Sequence, residues 1–325
     1  MKTWLLSHRV LLGVLAMVLV VVAGGGYVIS AAGHDSENGP AVKAISGDLL
    51  YVDLTGGLDQ VRTLRLGSPG AKPAATAQRC QRVYEAGGTT VCLRLAGPGP
   101  SYEAAVLDSS GAELRAVGLA GIPNRARVSA SGKIVSWTSF VTGDSYSVPG
   151  GFSTRTGVLD LRTGTVTDTL EDFRTTVEGV ENRAADRNFW GVTVAADDRT
   201  FYATMASANR TWLMRGDLVT RTMTDVRQTA ECPSLSPDGT RVAYKKRVRR
   251  LGPWALAVLD LRTSAERVLP GTEGIDDQAA WLDDGTLAYG KVRQGAPSAV
   301  YAVPADGSAP PRVLVENAAS PAPVR

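Results

Sequence analysis

The chain has 325 residues, 44% hydrophobic and 21% charged, with 35 lysines and arginines against 32 aspartates and glutamates. It is long enough for a large core, and a net charge of +3 spread along the sequence gives no electrostatic footprint for nucleic acid. The only two histidines, His8 and His34, precede the repeat region described below. Ser-His-Asp and Cys-His catalysis, histidine metal sites and histidine pH switching are therefore excluded from the folded domain.

At the N-terminus, Lys2, His8 and Arg9 precede an uncharged apolar run from Val10 to Ile29. A helix of that length spans about 30 Å, the thickness of a bilayer's hydrocarbon core. Positive residues on the short side hold that end in the cytoplasm. The expectation is a cytoplasmic N-terminus over residues 1–9 and a transmembrane signal anchor in the cytoplasmic membrane over 10–29. A flexible polar linker over 30–43 and an exported domain over 44–325 follow. The alternative is secretion after cleavage near Ala32, at Ser30-Ala31-Ala32.

Next in the chain, Cys80 and Cys92 flank a turn at Glu85-Ala86-Gly87. A three-residue turn there sets Cys80 opposite Cys92 in a hairpin, with Cβ atoms about 4.5–5.5 Å apart, and predicts a disulfide. An oxidising compartment permits one. Cys232 is expected to be a buried, small apolar residue.

From residue 44 onward the sequence repeats itself. Val158-Leu159-Asp160-Leu161-Arg162-Thr163 returns as Val258-Leu259-Asp260-Leu261-Arg262-Thr263, with a degenerate copy at Val106-Leu107-Asp108. Asp238-Gly239-Thr240-Arg241-Val242-Ala243-Tyr244 returns as Asp284-Gly285-Thr286-Leu287-Ala288-Tyr289, and Arg267-Val268-Leu269 as Arg312-Val313-Leu314. Self-similarity at a period of about 45 residues, with four short strands per unit, predicts a β-propeller. The turn position recurs at Gly47-Asp48, within Val83 to Gly88, and at Ser131-Gly132, Asp197-Asp198, Asp238-Gly239 and Asp284-Gly285, which gives six blades. The first copy lacks the strand before its turn. Residues 320–325 are placed to supply that strand, with partial pairing because Pro321 and Pro323 lack donors, and so to close the ring. The fold class is all-β: a six-bladed propeller preceded by one transmembrane helix.

The phrase Leu235-Ser236-Pro237-Asp238-Gly239-Thr240-Arg241-Val242-Ala243-Tyr244, followed by Val258-Leu259-Asp260-Leu261, resembles the WD40-like repeat of TolB-type six-bladed propellers. The best match covers 231–315, and weaker copies extend it to about residue 44. TolB proteins carry a separate N-terminal α/β domain, and the stretch from Ile29 to Gly47 is too short to hold one. The pairing of TolB with a peptidoglycan-binding lipoprotein is therefore not implied. Related propellers also occur joined to serine peptidases, but a Gly-x-Ser-x-Gly elbow is missing here.

Long loops are where such a scaffold carries recognition. Three insertions map to the face holding the loops between second and third strands and between blades. One is Thr138–Gly157, with Asp144 and Tyr146. Another is Glu171–Phe189, rich in both charges. The third is the basic run Lys245, Lys246, Arg247, Arg249 and Arg250, leading to Trp254. These cations suit an anionic cell-wall polymer, lipid headgroups or an acidic protein surface; the bland alternative is a strand continued by Lys245 and Lys246 with a solvated tip. Nucleic acid is not expected. The acidic pairs Asp197-Asp198 and Asp283-Asp284 fall on the repeat's turn position, so no metal and no cofactor is implied. Trp137, Trp212, Trp254 and Trp281 are expected between blades. The function expected is a membrane-tethered binding or scaffold module for an envelope protein or cell-wall polymer. The alternative is a carboxylate-dependent glycoside hydrolase or lyase at the channel mouth.

Overall fold

Each repeat supplies four short runs of Val, Leu, Ala, Tyr and Thr, punctuated by turn residues, and one such unit cannot bury both of its faces alone. The computed structural model describes residues 41–325 except 58, 69, 98, 142–152 and 250–251. Over the compact unit Val42–Arg325, six sheets form a closed β-propeller. The predicted anchor over 10–29, and the linker up to residue 40, lie outside the described residues. Among those described, no helix is long and apolar enough to cross a membrane.

From the channel outward, blade 1 consists of Ala318–Pro323, Asp48–Asp53, Gln60–Arg65 and Ala74–Arg79. Blade 2 is Arg82–Ala86, Thr89–Leu95, Tyr102–Leu107 and Glu113–Leu119, and blade 3 is Ile122–Val128, Ile134–Val141, Ser153–Asp160 and Thr165–Thr167. Blade 4 runs Asn188–Val194, Thr200–Ser207, Arg210–Asp217 and Thr222–Gln228. Blade 5 is Glu231–Leu235, Arg241–Arg247, Trp254–Asp260 and Glu266–Val268, and blade 6 is Ala280–Trp281, Thr286–Arg293, Ala296–Pro304 and Arg312–Val315. Each innermost strand touches that of the next blade, and blade 6 touches blade 1. Every first-to-second-strand turn lies at one end of the channel, the turn mouth. The connections between blades and the second-to-third-strand loops lie at the other end, the loop mouth.

The repeated aspartates terminate strands. Asp108, Asp160 and Asp260 each accept a hydrogen bond from the backbone N–H two residues on (Ser110, Arg162 and Arg262, 2.7–3.0 Å). Asp217 does the same for Val219 in blade 4. These are Asx turns, and they explain why the phrase keeps its Asp while its other letters drift. The acidic pairs are turn residues too. Asp197 accepts from the N–H groups of Arg199 and Thr200, and Asp283 from that of Gly285. Asp198 and Asp284 reach across to the turns of neighbouring blades, taking Ser131 Oγ at 2.7 Å and Asp238 N at 3.1 Å.

The core is divided among the blade interfaces. Six apolar clusters occupy the six junctions, from Leu50, Val83 and Ala322 between blades 1 and 2 to Leu49, Tyr51 and Val300 between blades 6 and 1. Trp137, Trp212 and Trp281 lie buried in these junctions, and Trp281 Nε1 crosses to the Ser234 carbonyl of blade 5 (2.9 Å).

Three local expectations change. The hairpin of blade 2 turns through Gly87 and Gly88, both with positive φ (58° and 75°), so it is a two-residue turn and Cys92 faces Val83. Cys80 precedes the strand and still forms the disulfide with Cys92, with Cα atoms 5.3 Å apart. The Thr138–Gly157 insertion is shorter than expected: its ends are strand, paired from Val141–Ser153 to Trp137–Gly157, and Asp144 and Tyr146 lie outside the described residues. Much of Glu171–Phe189 forms a hairpin, Arg174–Val177 with Val180–Asn182. It docks in parallel on the outer edge of blade 4 and widens that sheet to six strands.

The C-terminal segment closes blade 1. Leu49 and Leu50 pair with Pro323 and Ala322, and Val52 and Asp53 with Ala319 and Ala318, across a register shift that leaves Ser320 (φ 53°) and Pro321 outside the ladder. The bulge accommodates the missing donor of Pro321. A chain lacking residues 318–325 is expected to lose its cooperative thermal transition and aggregate through the opened edge, and a synthetic peptide of those residues should restore it. A transition unchanged by the deletion, followed by circular dichroism, would contradict closure by this strand.

Candidate functional site

In a six-blade ring, blades 3 and 6 face each other, and side chains join them through the channel. A register shift between Pro123 and Arg125 turns the blade 3 strand so that Arg125 and Arg127 both address the channel. Arg125 Nη2 donates to the Asp276 carbonyl (2.5 Å), and its Nη1 lies 3.6 Å from Asp277 Oδ1. Arg127 Nη2 donates to the carbonyls of Gln278 (3.1 Å) and Ala279 (2.7 Å), with its guanidinium 4.3 Å from the centre of the Tyr84 ring. Gln278 Nε2 then donates to Pro233 O of blade 5 (2.5 Å) and to Val192 O of blade 4 (3.3 Å).

The circuit continues through the remaining blades. Asp277 Oδ2 accepts from the Ser320 N–H of blade 1 (3.0 Å), Ser320 Oγ donates to Val83 O of blade 2 (3.1 Å), and Arg82 Nε donates to Asn124 O of blade 3 (2.8 Å). All six blades are joined, and the channel is crossed by a polar plug. Burial pushes the Asp277 carboxyl up, but Arg125, Arg82, the Gln278 N–H and Arg127 together hold it below the usual carboxylate range. Cys232 belongs here too. It is buried in left-handed backbone (φ 52°) against Gly191, where a Cβ would come within 2.8 Å of the Cys232 Cα, and it lies beside the Arg125 guanidinium. It faces a guanidinium, which the expectation of a plain apolar residue did not include.

At the loop mouth, the basic run is largely absorbed by its own surroundings. Lys245 is 4% exposed; its Nζ donates to the Asp276 carbonyl (3.2 Å) and lies 4.4 Å from the centre of the Trp254 ring. Lys246 is paired with Glu266. Arg247 stacks 3.6 Å from Trp254 and donates to Gly252 O (3.1 Å), while Trp254 Nε1 donates to Glu231 Oε1 (2.9 Å). Arg249 is exposed at the hairpin tip, and Arg250 lies outside the described residues. Lys245, Lys246, Arg247 and Trp254 thus form one packed cluster that continues the strand. Arg249 stands apart from it.

The turn mouth is built differently. Below the plug lies a cavity of about 150 Å³ lined from five blades, with Tyr84, Glu85, Arg127, Asp238 and Arg325 among its walls. Asp238 is fully engaged: Oδ1 accepts from Ser236 Oγ, Thr240 N and Thr240 Oγ1, and Oδ2 from Arg241 Nη2. Although burial opposes it, these donors hold the Asp238 carboxyl far below its usual range. Glu85 is 8% exposed and accepts two backbone N–H groups, Gly88 to Oε1 (3.1 Å) and Arg325 to Oε2 (3.3 Å). Burial pushes its carboxyl up against those two donors, and among the described residues no cation is paired with it. Sequence reasoning passed over Arg125, Arg127, Gln278 and Glu85. The one available signal was Arg125-Ala126-Arg127, two cations at strand spacing in an innermost strand.

Comparison with solved structures places this geometry. TolB from Acinetobacter baumannii superposes with a TM-score of 0.62 at 15% identity, over 86% of this chain and 67% of that one. The fold is a TolB-like propeller. A putative TolB from Agrobacterium tumefaciens gives 0.51 at 11% identity, covering 86% of this chain and 93% of that one. A propeller from a nidogen/laminin complex gives 0.54 at 11% identity, over 85% and 97%. No protein-family model and no curated protein matches the sequence. The TolB-like ring is therefore shared at the level of fold, and the plug is described from this chain's own residues.

Asp277→Asn leaves three guanidinium groups around a neutral amide, and breaking a buried ion pair in this way costs roughly 3–5 kcal/mol. Because the folded-state carboxyl lies below its unfolded value, this stabilisation is present above about pH 4 and is lost as pH falls through the folded value. Urea unfolding of wild type and D277N at pH 7 and pH 3 should show a larger difference at the first than at the second. An equal difference at both would show that the charge on Asp277 is not what holds the plug.

Proposed function

We propose that this TolB-like propeller is a binding module that receives a basic side chain of a partner protein in the turn-mouth cavity, against Glu85. The carrying observation is a carboxylate enclosed in a preformed cavity and, among the described residues, in ion-pair contact with no cation, although Arg127 and Arg325 line the same cavity. A buried charge without a partner is unfavourable. Groups held in unfavourable environments concentrate at functional sites. At about 30 Å³ per water molecule, 150 Å³ accepts the end of one long side chain and little more. The plug makes the cavity a dead end, which suits docking and does not suit passage of a polymer.

Binding is favoured over carboxylate catalysis by the state of the acids. A glycosidase needs one carboxyl as acid and a second free to act as base or nucleophile. Asp238 shares the cavity with Glu85, but both of its oxygens are committed to the turn and to Arg241. The proposal keeps the module outside the cytoplasm, tethered through residues 10–29 to the cytoplasmic membrane, with an envelope protein as partner. The Cys80–Cys92 disulfide supports an oxidising compartment.

Two measurements test this. A photo-crosslinking residue at Ala130, on the cavity wall, should give a discrete adduct with a partner in intact cells; Glu85→Lys should abolish it, and the same probe at Val248 should give none. An adduct that survives E85K, or that arises equally from Val248, would overturn the site. Separately, the raised folded-state carboxyl means Glu85 subtracts stability as pH rises above its unfolded value. Glu85→Gln should therefore raise the thermal midpoint at pH 7 and have less effect at pH 4, by scanning calorimetry.

A further inference from the structure

The opposite end of the channel carries an imbalance of charge that the plug leaves standing. Arg82, Arg125 and Arg127 converge on Asp277, Arg82 and Arg125 from the loop-mouth side and Arg127 from within the plug, and Arg125 and Arg127 are more than nine-tenths buried. Their hydrogen bonds go almost entirely to neutral carbonyls. Arg82 donates to Gln81 O and Asn124 O, Arg125 to Asn124 O and Asp276 O, and Arg127 to Ala126 O, Gln278 O and Ala279 O. Against three guanidinium groups stands one enclosed carboxylate, Asp277, whose side chain is 14% exposed, with the half-buried Asp59 also facing Arg82. Asp276 is 67% exposed and already accepts an ion contact from Lys245 at 3.5 Å. Buried cations are ordinarily matched charge for charge. Arg125 Nε is buried with no hydrogen-bond partner, a second unmet demand in the same cluster.

A small cavity opens at this place. It measures about 70 Å³ and is walled by Arg82, Arg125, Asp276, Asp277 and Ser298, with Gly290, Val292 and Ala319 completing it. We propose that this cavity is a carboxylate-binding pit at the loop mouth, in which Arg82 and Arg125 hold a carboxylate group that completes the charge balance around Asp277. Guanidinium groups present paired N–H donors in a plane that matches a carboxylate, and this favours a carboxylate over a spherical anion of the same charge. The volume admits a carboxylate and its first carbon, whether from a free small acid or from an aspartate or glutamate of a partner. The pit lies on the far side of the plug from Glu85 and does not depend on the reading of the turn mouth.

The test uses the full chain and two probes, sodium acetate and the peptide acetyl-Gly-Gly-Glu-Gly-Gly-amide, each compared with sodium chloride at equal ionic strength. Binding is followed by calorimetry and by the thermal midpoint. Acetate or the peptide should raise the midpoint more than chloride does, and Arg82→Gln should weaken that binding at least tenfold while Arg82→Lys, which keeps the charge, restores part of it. Saturable acetate binding identifies a free acid as sufficient; binding of the peptide alone identifies a partner's side chain. Chloride equalling both probes, or R82Q binding them as wild type does, would overturn the pit. Should R82Q not fold, line broadening of [1-13C]acetate by the wild type decides. Broadening displaced by formate and not by equal chloride supports the pit, and its absence at millimolar acetate refutes it. Glu85→Gln, at the other mouth, should leave acetate binding unchanged, so failure here is separable from failure of the proposed function.

Discussion

The contact on which the rest of this propeller depends is made by two adjacent residues of blade 6. Asp277 accepts charge from blade 3 and a hydrogen bond from blade 1, while Gln278 donates to blades 4 and 5. A ring of blades packed only through apolar junctions is held at its circumference and leaves the channel to solvent. Here the middle is tied as well, by groups whose desolvation is unfavourable unless every partner is in place. The bulges of the innermost strands, with left-handed Gly191, Cys232 and Ser320 among them, are the backbone counterpart of that network. They interrupt the regular ladder beside the residues that cross the channel.

The plug also decides what the ends of the channel can do. A continuous channel lets one ligand sense both faces, whereas a crossed one gives two separate concavities of opposite character. One is a cavity in which Glu85 has no ion-pair partner among the described residues, the other a smaller pit walled by Arg82, Arg125, Asp276 and Asp277. Neither holds a free acid–base pair, since Asp238 and Asp277 are each committed as ionised acceptors. The disulfide, the Asx turns and the six apolar junctions then serve one purpose, keeping these concavities in fixed register.

Most of the fold was legible in the sequence because its determinants are local. The repeated Asp marks a turn through hydrogen bonds to residues two or three positions on, so the phrase survives where packing residues vary. The missing first strand and the tail that replaces it were legible for the same reason, as a gap in a periodic text. The Cys80–Cys92 pairing was anticipated through the wrong register. Gly87 and Gly88 both take positive φ and shorten the turn by one residue, a choice that two adjacent glycines signal more strongly than the single Gly assumed. The partners of the basic run were not legible, because a count of charges does not show them: Trp254, Glu266 and Asp276 lie on other strands and connections, and only the folded sheet brings them to Lys245, Lys246 and Arg247. The plug was not legible, since Arg125 lies 151 residues from Asp276, and Gln278 lies 45 and 86 residues from Pro233 and Val192.

A charge pair crossing the channel, between Arg125 and Asp277, organises the ring. A double-mutant cycle of Arg125→Met and Asp277→Leu, measured by urea unfolding at pH 7, tests it most directly. The expected result is that D277L alone is severely destabilised and that adding R125M recovers a substantial part of the loss, with a coupling energy above about 1 kcal/mol, because the second change removes a charge that the first left unpaired. Losses that simply add would show that the two residues act independently and that the propeller is held by its apolar junctions alone.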